Sequence, residues 1–333
     1  MVVPSEMLPS GYSMPWVGIG TWMAPPGVVG EAVKEALAAG YRHVDCAHAY
    51  LNQKEIGAVF KEIFKGSKTV DRADVFITSK IWNTFHSYDK AKEAIGTILG
   101  ELELDYIDLM LIHWPMGYEE GGEFFPKVIS PPSSPSTISI FQDGDKMRFS
   151  NEDYLDTWKA LEEAVNEGKI RSIGVSNFNH KQLERIIEHA TVKPSMIQVE
   201  LHPYFQQSGL RGWCKEKGIA ITAYSSLGNP SMPFRHEGDP NILHDANVIS
   251  LAQKYGKSTA QVALRWATQH GIHVIPKSTN PERIKENLDL FSFTLDEGDM
   301  TLIDGLDKNW RILDLSFRDS HHPHFPFKSP TDW

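Results

Sequence analysis

The chain has 333 residues, 41% hydrophobic and 23% charged, with a formal net charge of −10. That acidity argues against nucleic acid as a partner, so any anion site must come from a local basic cluster. Two cysteines, Cys46 and Cys214, exclude a disulfide framework and a four-cysteine zinc site, and they fit a reducing compartment.

Short apolar runs alternate with longer stretches of helical spacing. Run 17–20 comes first, and a helix over 29–39 follows, with Val33 and Leu37 on one face and a stop at Gly40. Run 43–45 precedes a helix over 53–64, and strand 75–80 precedes a helix over 88–102. Strand 106–113 is rich in leucine and β-formers. Ser150, with Asp153 three residues on, reads as the N-cap of a helix running to about 167. Strand 170–176 and helix 180–190 come next, then strand 196–200 and helix 209–216. Strand 219–224 leads to helices 247–255 and 259–270, and strand 272–276 to a last helix over 282–290.

Eight strands, each followed by helix, predict parallel pairing with right-handed crossovers. Eight units suit a closed (β/α)8 barrel of the α/β class, formed as one domain over 1–333. The alternative is a doubly wound open sheet. Its glycine fingerprint fails, because Gly18-Ile19-Gly20-Thr21-Trp22-Met23 ends in methionine. Gly256-Lys257-Ser258 is no phosphate loop, since Leu251 stands where one needs glycine.

Two stretches stand outside the alternation. Residues 116–149 carry Pro131, Pro132 and Pro135 among serines, and are expected to form a long loop or lid on the substrate side. Residues 309–333 form an aromatic, proline-containing tail over the barrel mouth; its His321, His322 and His324 lack the spacing of a metal site. The N-terminus lacks a basic segment followed by an apolar run, and no apolar run approaches about 18 residues, so a cytoplasmic, non-membrane protein is expected. Pro230 disqualifies Asn229 as a glycosylation acceptor.

In a barrel the chemistry collects where strands end at the C-terminal rim. The eight runs bring to that rim Asp45, Lys80, His113, Ser176-Asn177, Gln198 with Glu200, Tyr224-Ser225 and Lys277-Ser278. Any one of these is as readily a strand cap. Asp45 with Lys80 reads equally as a structural ion pair, and His113 as a core histidine. Their convergence on one rim favours a common site, because charged side chains are seldom buried without partners.

Several segments resemble signatures of the aldo-keto reductase family, in particular its animal aldehyde reductase and aldose reductase group. The first is Gly40-Tyr41-Arg42-His43-Val44-Asp45-Cys46-Ala47, with Tyr50 and Glu55-Ile56-Gly57. Leu111-Ile112-His113-Trp114-Pro115, Gly174-Val175-Ser176-Asn177-Phe178 and Ile275-Pro276-Lys277-Ser278 continue in the same order, as does the tail with Asn309-Trp310-Arg311 and Phe325-Pro326-Phe327.

The resemblance implies a monomeric, NADPH-dependent reductase of aldehydes or ketones, of the NADP-dependent alcohol dehydrogenase type, working without metal on a small carbonyl substrate. It implies Tyr50 as general acid, Lys80 beside it, Asp45 paired with Lys80, and His113 orienting the carbonyl. A nearby ammonium is expected to lower the tyrosine pKa from about 10. Trp22, Trp114, Tyr50 and His113 would line the substrate pocket. Gly20, Thr21 and Trp22 would border the cofactor. Ser176, Asn177 and Gln198 would hold the nicotinamide carboxamide, and Tyr224 would stack on its ring. Ser225, Leu227, Lys277, Ser278, Thr279, Arg283, Glu286 and Asn287 would take the pyrophosphate and adenosine end, with Lys277, Ser278 and Arg283 suited to a 2′-phosphate.

The chain departs from the family at two places. Ser226 replaces a proline at the start of a flap, 228–243, expected to be mobile without cofactor. Extra residues around 128–141 border the substrate side, so substrate preference does not carry over. Two further readings stay open: a ketosteroid-type reductase, and a cofactor-binding regulatory or structural protein with little turnover.

Overall fold

A computed structural model describes residues 3–128, 146–230, 232 and 235–329. It begins with a hairpin, β1 (Ser5–Met7) against β2 (Ser13–Pro15), that the sequence reading did not anticipate. Strands and helices then alternate. β3 (Ile19–Gly20), α1 (Val29–Ala39), β4 (His43–Asp45) and α2 (Gln53–Phe60) open the series. β5 (Phe76–Ile81), α3 (Tyr88–Glu101), β6 (Ile107–Ile112) and α4 (Tyr154–Asn166) follow. β7 (Ile170–Ser176), α5 (His180–His189), β8 (Met196–Glu200) and α6 (Ser208–Lys217) make the next two units. β9 (Ala220–Tyr224), α7 (Ala246–Tyr255), α8 (Thr259–Gln269), β10 (His273–Val274) and α9 (Pro281–Leu288) complete them. α10 (Glu297–Asp304) and α11 (Ser316–Asp319) had not been expected.

From β3 to β10 each strand pairs in parallel with the next. The ring closes through a parallel bridge between Val17 and Val274, where Gly18 N donates to Val274 O and Val274 N to Trp16 O, both at 2.9 Å. This is the expected (β/α)8 barrel. β4, β5, β6 and β8 are buried at every residue, with the barrel interior on one side and helices on the other. That is why they read as continuous apolar runs and not as alternating ones. The hairpin packs Leu8 and Met14 against Phe76, Leu109, Leu111 and Met196. Glu6 Oε2 lies 2.9 Å from His273 Nε2, and His273 stacks on Trp16.

Local chemistry sets the boundaries. Gly40 ends α1 at φ 110, a conformation that favours glycine. The Gly256-Lys257-Ser258 triplet is a helix junction: Gly256 ends α7 at φ 60, and Ser258 opens α8 in a capping box with Gln261. α4 corrects the sequence reading. Its cap is Asp153, which accepts from Leu155 N, and not Ser150. Ser150 N donates to Gly117 O beside the Tyr118–Phe149 bridge, while Arg185 grips both oxygens of Asp153 at 2.8 and 2.6 Å.

Within 116–149, the pairs Tyr118–Phe149 and Lys127–Met147 are bridged at the two ends. Residues 129–145, which include Pro131, Pro132, Pro135 and nearly all of the extra 128–141 stretch, lie outside the described residues, as do 231, 233 and 234 of the flap and 330–333 of the tail. Among the described residues no helix is long and apolar enough to cross a membrane.

Candidate active site

The C-terminal strand ends surround a cavity of about 990 Å³. Of the residues singled out from the sequence, Asp45, Tyr50, His113, Trp114, Ser176, Asn177, Gln198 and Tyr224 line it, as do Gly20, Thr21 and Trp22. So do Ser225, Leu227, Lys277, Ser278, Thr279, Arg283, Glu286 and Asn287. Lys80 does not. It is 0% exposed and sits beneath the wall.

Lys80 points its ammonium at three acceptors: Asp45 Oδ1 at 2.6 Å, Cys46 O at 2.9 Å and the Tyr50 hydroxyl at 3.2 Å. Gln198 Nε2 donates to the other oxygen of Asp45 at 2.8 Å. All three lysine protons are thus directed at oxygens, which is what a buried charge requires. Tyr50 reaches this group from a short 3-10 turn, His48–Tyr50, after β4. His113 follows β6 directly, its backbone N–H bonded to Ile81 O. Its ring meets those of Tyr50 and Trp82 edge-on, at centroid distances of 5.7 and 5.2 Å. His113 Nδ1 is buried without a hydrogen-bond partner among the described residues.

Burial holds His113 well below 6.5, and the Lys80 charge adds to the effect, so the imidazole is neutral at neutral pH. The Tyr50 phenol departs from expectation. Burial pushes it well above 10, and Asp45 and then Cys46 push the same way. The expected lowering by the ammonium is reversed, because burial removes the water that would solvate a phenolate and Asp45 offsets the field of Lys80. Tyr50 therefore keeps its proton at neutral pH.

Further along the cavity, Asn177 and Ser225 follow β7 and β9 in left-handed conformations, φ 61 and 48, sparsely populated for non-glycine residues. The Tyr224 hydroxyl donates to Asn177 Oδ1 at 2.7 Å, and Asn177 Nδ2 donates to His113 O and Ser176 Oγ, both at 3.0 Å. Across from them a Cβ on Gly20 would meet Ile275 O at 2.7 Å, so glycine lets β3 lie close against the backbone that follows β10. The far end is the start of α9, capped by Asn280 with Pro281 in its first turn. Lys277 and Arg283 are exposed there, and among the described residues neither has a carboxylate partner within salt-bridge reach.

The sequence reading missed part of the wall: Trp82, Phe125, Leu313, Leu315 and Arg318. Trp82 lies one residue past β5, so scanning slightly beyond each strand end would have found it. The three tail residues carry no periodic signal. Arg318 is nearly buried, held by Asp319 Oδ2 and the Tyr118 hydroxyl, each at 2.7 Å. Of the tail histidines, His321 is exposed, while His322 packs edge-on to Phe149 and His324 to Tyr154, with the His322 and His324 rings 5.7 Å apart. Among the described residues no group of three His, Cys, Asp or Glu is placed to hold a metal ion.

A profile described as the Aldo/keto reductase family matches residues 17–308. Over 329 residues the chain is 44% identical to aldo-keto reductase family 1 member A1 of Gallus gallus, covering 96% of each chain. It is 40% identical over 338 residues to the protein of that name from Homo sapiens, covering 99% of this chain and 100% of that one. Among solved structures it is similar to the aldose reductase from Schistosoma japonicum, with a TM-score of 0.87, 37% identity and coverage of 98% of this chain and 100% of that one.

Proposed function

The chain belongs to the aldo/keto reductase family, and from that premise we propose that it reduces aldehydes or ketones to alcohols with NADPH, using Tyr50 as the proton donor. The observation that carries this reading is the Tyr50 hydroxyl on the cavity wall, 3.2 Å from a buried ammonium and beside a neutral histidine.

The residues fit a dinucleotide. One cavity, lined by Gly20, runs from the Tyr50 end to Lys277 and Arg283, which have no carboxylate partner among the described residues. Lys277, Ser278 and Arg283 would take a 2′-phosphate, with Ser225, Leu227, Thr279, Glu286 and Asn287 along the rest of the pyrophosphate and adenosine end. Tyr224 offers a flat ring for stacking, with the Ser176, Asn177 and Gln198 side chains for a carboxamide. When bound, the cofactor supplies a hydride. The chain's own residues supply the proton and the field. Tyr50 gives its proton to the carbonyl oxygen, and Lys80 stabilises the phenolate left behind. Neutral His113 donates a hydrogen bond that orients the carbonyl. Asp45 and Gln198 hold the ammonium in place, and Trp22 and Trp114 shape the substrate side.

The test follows NADPH oxidation by absorbance with a small reactive aldehyde, comparing the wild type with Tyr50→Phe. Turnover by the wild type and a loss of about 100-fold or more in the variant, with NADPH binding kept, is the expected result. A wild type that binds NADPH but turns over none of a range of aldehydes and ketones overturns the enzyme reading in favour of a cofactor-binding regulator.

A further inference from the structure

Glu200, the last residue of β8, is 0% exposed and is not among the residues lining the cavity. Its carboxylate reaches a remote part of the chain. Oε1 accepts from Ile312 N at 2.6 Å and Oε2 from Leu313 N at 2.7 Å. These amides lie between α10 and α11, outside any helix or strand, so no ladder satisfies them. His202 Nε2 is 3.1 Å from Oε1. The Arg311 guanidinium covers the rings of Phe327 at 3.5 Å and Phe205 at 4.4 Å. Burial alone would push the Glu200 carboxyl up. The His202 hydrogen bond, the charges of His202 and Arg311 and the Ile312 amide outweigh it and hold the carboxyl below the usual range. The base of the anchor is itself fixed, since Gln207 Nε2 donates to Glu200 O at 2.6 Å.

Immediately past this anchor the tail enters the cavity wall as Leu313, Leu315 and Arg318, with Leu315 in one apolar cluster with Trp82 and Trp114. We propose that Glu200 is a positioning residue: by fixing the backbone at Ile312 and Leu313 it sets where Leu313, Leu315 and Arg318 stand against a carbonyl substrate. This rests on the reductase reading. Glu200 does not itself line the cavity and reaches its wall at the tail through the Leu313 amide, so it acts on substrates large enough to reach the tail. A carbonyl compound that ends near Tyr50 and His113 does not sense it.

The substitution that tests this is Glu200→Gln, whose amide group turns a donor toward one of the two tail N–H groups. The expected result is a split. KM for a bulky aromatic ketone rises about tenfold or more, while kcat and KM for a small aliphatic aldehyde move less than about twofold. Trypsin also cuts after Arg311, which the folded wild type protects. Equal changes for both substrates, or no change in either with the tail still protected, overturn the proposal. Hydrogen exchange on the wild type decides it independently of whether the variant folds. The Ile312 and Leu313 amides are expected to be slow, and exchange at the rate of unstructured chain refutes the anchor. A wild type that reduces neither substrate sinks the reductase reading alone, because exchange and proteolysis still report on the anchor.

Discussion

Lys80 donates to the Tyr50 hydroxyl at 3.2 Å from below the cavity wall, without reaching the cavity itself. The ammonium can therefore act on Tyr50, the proposed proton donor, without touching a ligand. Lys80→Met is expected to lower kcat by about 100-fold or more while leaving NADPH affinity within a few-fold. It should also lower the melting temperature, because Asp45 is left buried without its cation. Steady-state kinetics with a cofactor titration checks this. A large loss of NADPH binding contradicts the placement.

The pH dependence follows from the same cluster. Burial and Asp45 hold the Tyr50 phenol well above 10, and burial holds His113 well below 6.5. Both groups keep one protonation state across neutral pH. For carbonyl reduction, kcat/KM is expected to be flat from pH 6 to 8 and to fall only at alkaline pH as the phenol ionises. Alcohol oxidation, which needs the phenolate, should instead rise with pH. A reduction profile that falls through pH 7 contradicts the assignment.

Cofactor choice is predicted to sit at the start of α9. Arg283→Ala is expected to weaken NADPH about 10- to 100-fold and to leave NADH within a few-fold. Fluorescence titration of both cofactors tests this, and equal losses would show that Arg283 does not read a 2′-phosphate.

Arg235 ties down the segment expected to cover the cofactor. Its guanidinium donates to Gly228 O at 2.9 Å and to Pro240 O at 2.7 Å, and lies 4.8 Å from the centre of the Trp310 ring. Arg235→Ala is expected to raise the dissociation rate of NADP+ about tenfold. Stopped-flow fluorescence measures this, and an unchanged rate removes Arg235 as the latch.

Two buried histidines, His86 before α3 and His322 in the tail, predict a stability profile. Burial lowers His86 to about 3 and His322 to about 4, from 6.5. Their folded pKa values lie below the unfolded one, so their contribution is complete above pH 6.5 and is lost as pH falls toward 4. In that window the unfolded chain binds protons that the folded chain refuses, and each group steepens the loss by up to about 1.4 kcal/mol per pH unit. The melting temperature should fall across this range, and less steeply in His322→Asn. An unchanged slope in the variant contradicts the account.

What was legible in the sequence was what local pattern encodes. The barrel strands show as short apolar runs because both of their faces are buried, and the cavity residues show as abrupt polar endings to those runs. What was not legible depends on partners far away in the chain. The hairpin strands are three residues each, and Glu6 meets His273 across 267 positions. Asp153 rather than Ser150 caps α4, in a setting built by Arg185 and Gly117. The sign of the Tyr50 shift depends on how completely water is removed, which spacing does not express. Arg318 enters the wall from a tail without periodicity, placed there by packing alone.

The bridge between Val17 and Val274 has a consequence for how the chain is made. The first strand of the ring cannot find its second neighbour until the last strand has been synthesised. A nascent or truncated chain ending before β10 leaves β3 and β9 with unpaired N–H and C=O groups, two free edges able to template pairing with another chain. Nearly the whole protein must therefore emerge before the barrel is protected from association, and loss of even the two residues of β10 would open it.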